Sequence, residues 1–173
     1  MILTGLEIIK EHAVGHLRIE PFDPAFVTTN TYDLTLGKHF CQYLTAILDP
    51  AIDNDYRVFE APDDGVLMQA GDFLLGHSVE NIGSDHYVPI IHARSTVARL
   101  GLFVHITADL IDIGSFGQVT FQLYATMPIR LRPGTRIGQV SFWVPKGEIV
   151  LYRGKYQNSR GPCPSKAFND FRR

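Results

Sequence analysis

At 173 residues, 45% hydrophobic and 20% charged, the chain has the composition of one soluble globular domain and enough length to bury a core. A formal charge of -2 gives no bulk attraction to nucleic acid or to an anionic membrane, so any site for a polyanion must be built locally from a few basic side chains. No apolar run approaches the ~20 residues of a membrane span, and the N-terminal MILTGLEIIKEH lacks a signal-peptide pattern, so a cytoplasmic protein with Cys41 and Cys163 as free thiols is expected.

Thr4 followed by Glu7 reads as a capping box opening a short helix that ends near His12, with Ile8 and Ile9 turned inward. Leu17 to Ile19 predicts a short strand, stopped by Pro21, Asp23 and Pro24. Thr31 to Leu36 alternates and ends at Gly37, and Phe40 to Leu48 reads as a strand or a short helix, the strand favoured, before a turn at Asn54-Asp55. Arg57 to Glu60 and Val66 to Gln69 predict strands on either side of the polar turn from Pro62 to Gly65. Asp72 to Val79 and Val88 to Ala93 predict two more, joined through Asn81 to Asp85.

In the second half only Thr96 to Leu100 reads as helical, followed by a β-type run from Phe103 to Thr107. From Gln118 to Ala125 the apolar Val119, Phe121, Leu123 and Ala125 alternate with Thr120, Gln122 and Tyr124, so Gln122 projects from the polar face of a strand. Ile129 to Leu131, Ile137 to Val144 and Ile149 to Tyr152 complete the strands, with Pro133-Gly134 turning between the first two. Many short strands with Gly and Pro punctuation predict an all-β barrel or sandwich, in a single domain over residues 1–173. Residues 155–173 have few apolar side chains and, taken alone, read as a mobile tail.

Three positions carry the chemistry. Arg94, Ser95, Thr96 and Arg99 put two planar guanidinium forks and two hydroxyls within six consecutive residues, a set suited to phosphate oxygens. In isolation the same letters read more readily as a capped helix start with solvated arginines. Asp112, just before Gly114, is either a turn former or an acceptor for a ligand hydroxyl. A zinc-type deaminase site is excluded, because its His-x-Glu and Pro-Cys-x-x-Cys are absent and the seven histidines show no ligand spacing. His105, within an apolar run, reads as a hydrogen-bonded core residue.

RSTVARLGL (Arg94 to Leu102) followed by VHITADLIDIGSFGQVTFQLY (Val104 to Tyr124) resembles the core of the dCTP deaminase group in the dUTPase-like superfamily. TYDLTLG (Thr31 to Gly37), LRPGTRIGQVSF (Leu131 to Phe142) and GKYQNSRGPCPS (Gly154 to Ser165) match in the same order, so the resemblance spans nearly the whole chain. It implies a distorted β-barrel of the β-clip type, a homotrimer with sites between subunits, and Mg²⁺ arriving with a bound dUTP or dCTP. It assigns Arg94, Ser95, Thr96 and Arg99 to the phosphates, with Ser95 and Arg99 also reaching the reacting end of the base. Asp112 falls beside the deoxyribose 3′-hydroxyl and, in dUTPases, orients the attacking water; Ala108, Thr120 and Gln122 join the nucleotide site. Tyr152, Lys155, Tyr156, Ser159 and Arg160 belong to a tail that closes over the nucleotide, with Ser159 standing where a glutamine is frequent.

One departure bears on the reaction. The deaminases of this group carry a glutamate where this chain has Gln122. Deamination at C4 of cytosine needs a group that removes a proton from water and delivers one to the ring, which a carboxylate does and a neutral carboxamide does not. The favoured expectation is therefore a dUTP diphosphatase, releasing dUMP and pyrophosphate. Two alternatives stand beside it: a dCTP deaminase whose glutamate has been replaced by Gln122, and a catalytically weak nucleotide-binding regulator.

Overall fold

A computed structural model describes residues 1–105 and 107–172. Helix α1 (Gly5–Ala13) is followed by β1 (Leu17–Glu20), β2 (Tyr32–Thr35), β3 (His39–Tyr43), β4 (Tyr56–Glu60), β5 (Val66–Met68), β6 (Phe73–Ser84) and β7 (Val88–Ala93). A single helical turn, α2 (Ser95–Ala98), leads to β8 (Leu102–Phe103), β9 (Phe116–Ala125), β10 (Ile129–Leu131) and β11 (Arg136–Trp143). The strands form three sheets: β4-β3-β6-β9-β8 with β1 also on β6, β2-β11-β7, and the pair β5-β10. The all-β expectation holds, as an open arrangement around one core rather than a closed ring of strand pairs among the described residues. No helix is long and apolar enough to cross a membrane.

The alternation read in the sequence of β9 sets the geometry of everything that follows. Val119, Phe121, Leu123 and Ala125 are buried in the core, at 0% exposure for the last three, and the intervening side chains face the other side of the sheet. Strand β6 pairs along almost all of β9, from Phe73 opposite Tyr124 to Gly83 opposite Phe116, with a register shift between His77 and Asn81. At that shift the Ser78 hydroxyl accepts from the Val119 amide at 2.8 Å and donates to the Glu80 carbonyl at 2.6 Å, replacing ladder bonds the bulge removes. Helix α1 lays Ile8, fully buried, against the core, while Ile9 is only half-buried.

Several sequence expectations are corrected. Residues 81–85 do not break the strand: β1 pairs there, Leu17 opposite Ser84 to Glu20 opposite Asn81, and carries β6 through to Ser84. Strand β3 stops at Tyr43, because Asn54 folds the following loop on itself by donating to the carbonyls of Asp49 at 2.7 Å and Ile52 at 3.1 Å. Leu44, Ile47 and Leu48 are left exposed there. Ile149 to Tyr152 joins no sheet; its tie is the Tyr152 amide on the Ile113 carbonyl at 2.8 Å. The run expected from Phe103 to Thr107 shrinks to β8, and Ile106 lies outside the described residues. Thr4 is the N-cap residue, but its hydroxyl makes no capping bond, and the Gly5 amide goes instead to the Thr29 carbonyl at 2.7 Å.

Candidate functional site

The outer face of β9 forms the floor of a cavity of about 460 Å³. Gln118, Thr120 and Gln122 project into it at every second residue, beside Leu75 of β6 and Tyr43 of β3. The loop between β8 and β9 supplies one wall through His105, Ala108 and Ile111. The roof is the C-terminal segment, which contributes Tyr156, Ser159, Cys163 and Ser165.

That segment is not a loose tail. Its backbone docks on β9: the Asn158 amide donates to Phe116 O at 2.8 Å, and the Gln118 amide to Ser159 O at 2.9 Å. Further along, the Gly161 amide donates to Gln118 Oε1 at 2.6 Å, Cys163 N to Thr120 Oγ1 at 3.1 Å, and Ser165 N to the Tyr43 hydroxyl at 2.8 Å. Gly117 permits this approach, since a Cβ there would lie 2.7 Å from Ser159 N and 2.9 Å from Ser159 O. The expectation of a mobile tail fails because backbone donors, not apolar side chains, fix it.

Within the cavity Gln122 is half-buried and its carboxamide makes no hydrogen bond among the described residues, so its donor and acceptor remain available to a ligand. Thr120, by contrast, is engaged by the roof. His105 lines the wall rather than the core and lies in no strand; its Nε2 contacts the Ala108 carbonyl, while Nδ1 is buried without a partner among the described residues. Burial pushes its pKa below the ordinary histidine value, against the opposing pull of the Ala108 carbonyl and Asp109, so the ring adds no full charge to the wall near neutral pH.

The remaining expected residues stand elsewhere on the chain. Asp112 is exposed in a shallower groove beside Tyr152, Leu110 and Glu148. Ser95, Thr96 and Arg99 are exposed on and after α2, and none of them lines the cavity. Arg94, just before α2, is half-buried with its Nε 3.2 Å from Asp33 Oδ1. In the roof, Lys155 pairs with Asp170, and Arg160 is exposed. A single chain thus brings together Ala108, Thr120, Gln122, Tyr156 and Ser159, and leaves Asp112 with Tyr152 in one group and the Arg94–Arg99 cluster in another.

Sequence reasoning missed Gln118 as a roof anchor, although its two-residue spacing from Thr120 placed it on the same face. It also missed Arg136 and Asp33, for which only the strand register gives a signal: Thr35 lies opposite Arg136, and Asp33 opposite Gln139. Cys41 and Cys163 are free; burial pushes the Cys41 thiol up to about 11, which keeps it protonated and inert. Among the described residues no three His, Cys, Asp or Glu side chains converge as a metal-binding group.

Comparison with known proteins agrees with this architecture. A solved dCTP deaminase structure from Agrobacterium tumefaciens superposes with a TM-score of 0.65 at 20% identity, over 83% of this chain and 48% of that one, a likeness of fold. This chain therefore spans about half the length of that structure's chain. A Clostridium beijerinckii protein named dCTP deaminase, dUMP-forming, is 39% identical over 172 residues, 99% of each chain. A Leptospira biflexa protein of the same name is 37% identical over 99% of this chain and 98% of its own. The family described as dCTP deaminase-like matches residues 2–144, and with full-length relatives at this identity the chain belongs to the dCTP deaminase-like family.

Proposed function

We propose that the protein is a pyrimidine deoxynucleoside triphosphate hydrolase, acting first as a dUTP diphosphatase that releases dUMP and pyrophosphate. The observation that carries this reading is Gln122, an uncommitted carboxamide on the cavity floor. It donates to O4 or accepts from N3–H of uracil, and, having no titratable group near neutral pH, it does not act as a general acid or base. Asp112 accepts from the sugar 3′-hydroxyl and orients the water that attacks the α-phosphate. Arg94, Ser95, Thr96 and Arg99 neutralise the phosphate chain through charge-assisted bonds. Mg²⁺ enters with the nucleotide, held mainly by phosphate oxygens and water.

The separation of the cavity, Asp112 and the arginine cluster within one chain supports a homotrimer in which neighbouring subunits complete each site. The roof, with Tyr152, Lys155, Tyr156, Ser159 and Arg160, closes over the bound nucleotide and shuts out bulk solvent, leaving the one water that Asp112 orients. The working compartment is the cytoplasm, where nucleoside triphosphates are held. A second reading is favoured by the relatives' name: dCTP and water give dUTP and ammonia before hydrolysis, at a rate limited by the missing carboxylate. Incubation with dUTP and dCTP separately, with chromatographic resolution of products, tests both. Pyrophosphate release from dUTP that Asp112→Asn abolishes is the expected result; rapid ammonia release from dCTP by the unaltered chain would overturn the primary reading.

A further inference from the structure

The side chain of Asp33 is 3% exposed, on the face of β2 opposite the core residues Tyr32 and Leu34. Strand β2 pairs with β11, which pairs with β7, so this carboxylate sits below the end of β7, where Arg94 precedes α2. Two guanidinium groups converge on it. Arg94 Nε lies 3.2 Å from Oδ1, and Arg136 Nη1 lies 3.4 Å from Oδ2. Arg94 Nη1 also reaches the Arg136 carbonyl, at 3.4 Å, so the two arginines are linked directly as well.

The arrangement leaves donors to spare. The Arg94 contact to Oδ1 is an ion pair without hydrogen-bond alignment, and Oδ1 is left with no hydrogen bond among the described residues. The Arg136 guanidinium centre lies 5.0 Å from the Phe26 ring centroid, a cation–π contact that consumes none of its N–H donors as hydrogen bonds. Their side chains are 29% and 41% exposed, so two forks of five donors each are anchored from below and open above. Ser95 and Thr96 are exposed directly after Arg94. Glu80, a second buried carboxylate in this region, is turned toward the backbone and accepts from the Thr35 amide at 2.9 Å.

We propose that Asp33 is a positioning residue that gathers Arg94 and Arg136 into one paired guanidinium site, and that Arg136 is itself a ligand of the substrate's phosphate chain. The inference rests on the nucleotide reading above and extends it by one binding residue and one supporting residue. A buried carboxylate is the group that can hold both cations close together, since two guanidiniums brought together without it repel. A phosphate chain arriving from solvent meets donors already oriented.

The test uses the full chain and two ligands, inorganic tripolyphosphate by calorimetric titration and dUTP by steady-state hydrolysis. Arg136→Gln is expected to weaken tripolyphosphate about tenfold or more and to raise KM for dUTP by a similar factor with kcat retained, while deoxyuridine binding is unchanged. Arg136→Lys, which keeps the charge and loses the fork, should recover part of the loss. Asp33→Asn separates positioning from charge by sign. Removing a negative charge beside two cations would by itself tighten anion binding, whereas loss of positioning weakens it; we expect weakening.

Normal tripolyphosphate affinity in Arg136→Gln, tighter binding in Asp33→Asn, or no tripolyphosphate binding by the unaltered chain would each overturn the proposal. If Asp33→Asn fails to fold, the comparison of Arg136→Gln with Arg136→Lys decides it. A chain that binds tripolyphosphate as described but hydrolyses no dUTP leaves the clamp standing and removes the diphosphatase reading. Unimpaired hydrolysis with no effect of Arg136→Gln does the reverse.

Discussion

The amide of Cys163 donates to the hydroxyl of Thr120 at 3.1 Å, so the roof of the cavity is bonded to a side chain of its own floor. Thr120→Val keeps the shape of the side chain and removes the acceptor. An amide left without a partner costs about 1–3 kcal/mol, charged here to the docking of the tail and not to the sheet. The expected outcome is faster trypsin cleavage at Lys155, Arg160 and Lys166 with little change in thermal midpoint, followed by gel and mass spectrometry.

Gly117→Ala should act on the same contact from the backbone side. The added methyl meets Ser159 N and O at 2.7 and 2.9 Å, and backbone atoms cannot swing aside as a side chain would. The tail must lift, so KM for the nucleotide rises and the amides of Gly161 and Cys163 lose protection in hydrogen exchange. Unaltered protection at both amides would show that the tail absorbs the methyl without moving.

Gln122→Glu supplies the proton carrier that the floor lacks. Where the rest of a deaminase site is intact, general acid–base catalysis is worth about 10²–10⁴-fold, so ammonia release from dCTP should rise from little or none to a readily measured rate. Coupled assay of ammonia measures it. No gain would mean that groups other than residue 122 have also departed from the deaminase arrangement.

His77 gives the fold a dependence on pH. Burial holds its pKa below the ordinary histidine value, opposed by the Ser78 carbonyl 2.8 Å from Nδ1. The His39 amide donates to Nε2 at 3.4 Å, which assigns the proton of the neutral ring to Nδ1. Protonation would place a second N–H against the His39 amide. Because the folded pKa is lowered, the unfolded chain takes up the proton first: this contribution to stability is full above about pH 6.5 and is lost as pH falls below it. Urea unfolding at about pH 7.5 and about pH 5.5 should show the loss, and His77→Gln should reduce the difference between the two.

The sequence made β9 legible because one period-two pattern decides both its core face and its cavity face. Strand ends were less legible, since they depend on partners distant in the chain: β6 continues from Asn81 to Ser84 because β1 pairs on one edge there and β9 on the other. The tail was read as mobile because its composition promises no apolar burial, and backbone amides reaching Gln118 and Thr120 leave no mark in composition. Asp33 and Arg136 are 103 positions apart in the chain, and no local spacing connects them. Alternation puts Gln122 on the polar face of β9, its chemical meaning comes from a resemblance of motifs, and the cavity it floors is visible only once the tail is folded over that face.

The bonds that seat the far end of the roof, residues 161–165, have an asymmetry. On the roof they are main-chain atoms, Gly161 N, Cys163 N and Ser165 N; on the sheet they are the side chains of Gln118, Thr120 and Tyr43. Every amino acid except proline offers the first kind of group, and few offer the second. Cys163 and Ser165 are therefore open to redesign at their side chains, as handles for fluorophores or altered base preference, without loss of the seat, whereas Gly161 is held to glycine by its positive φ of 66°. The three side chains beneath the segment have no such latitude.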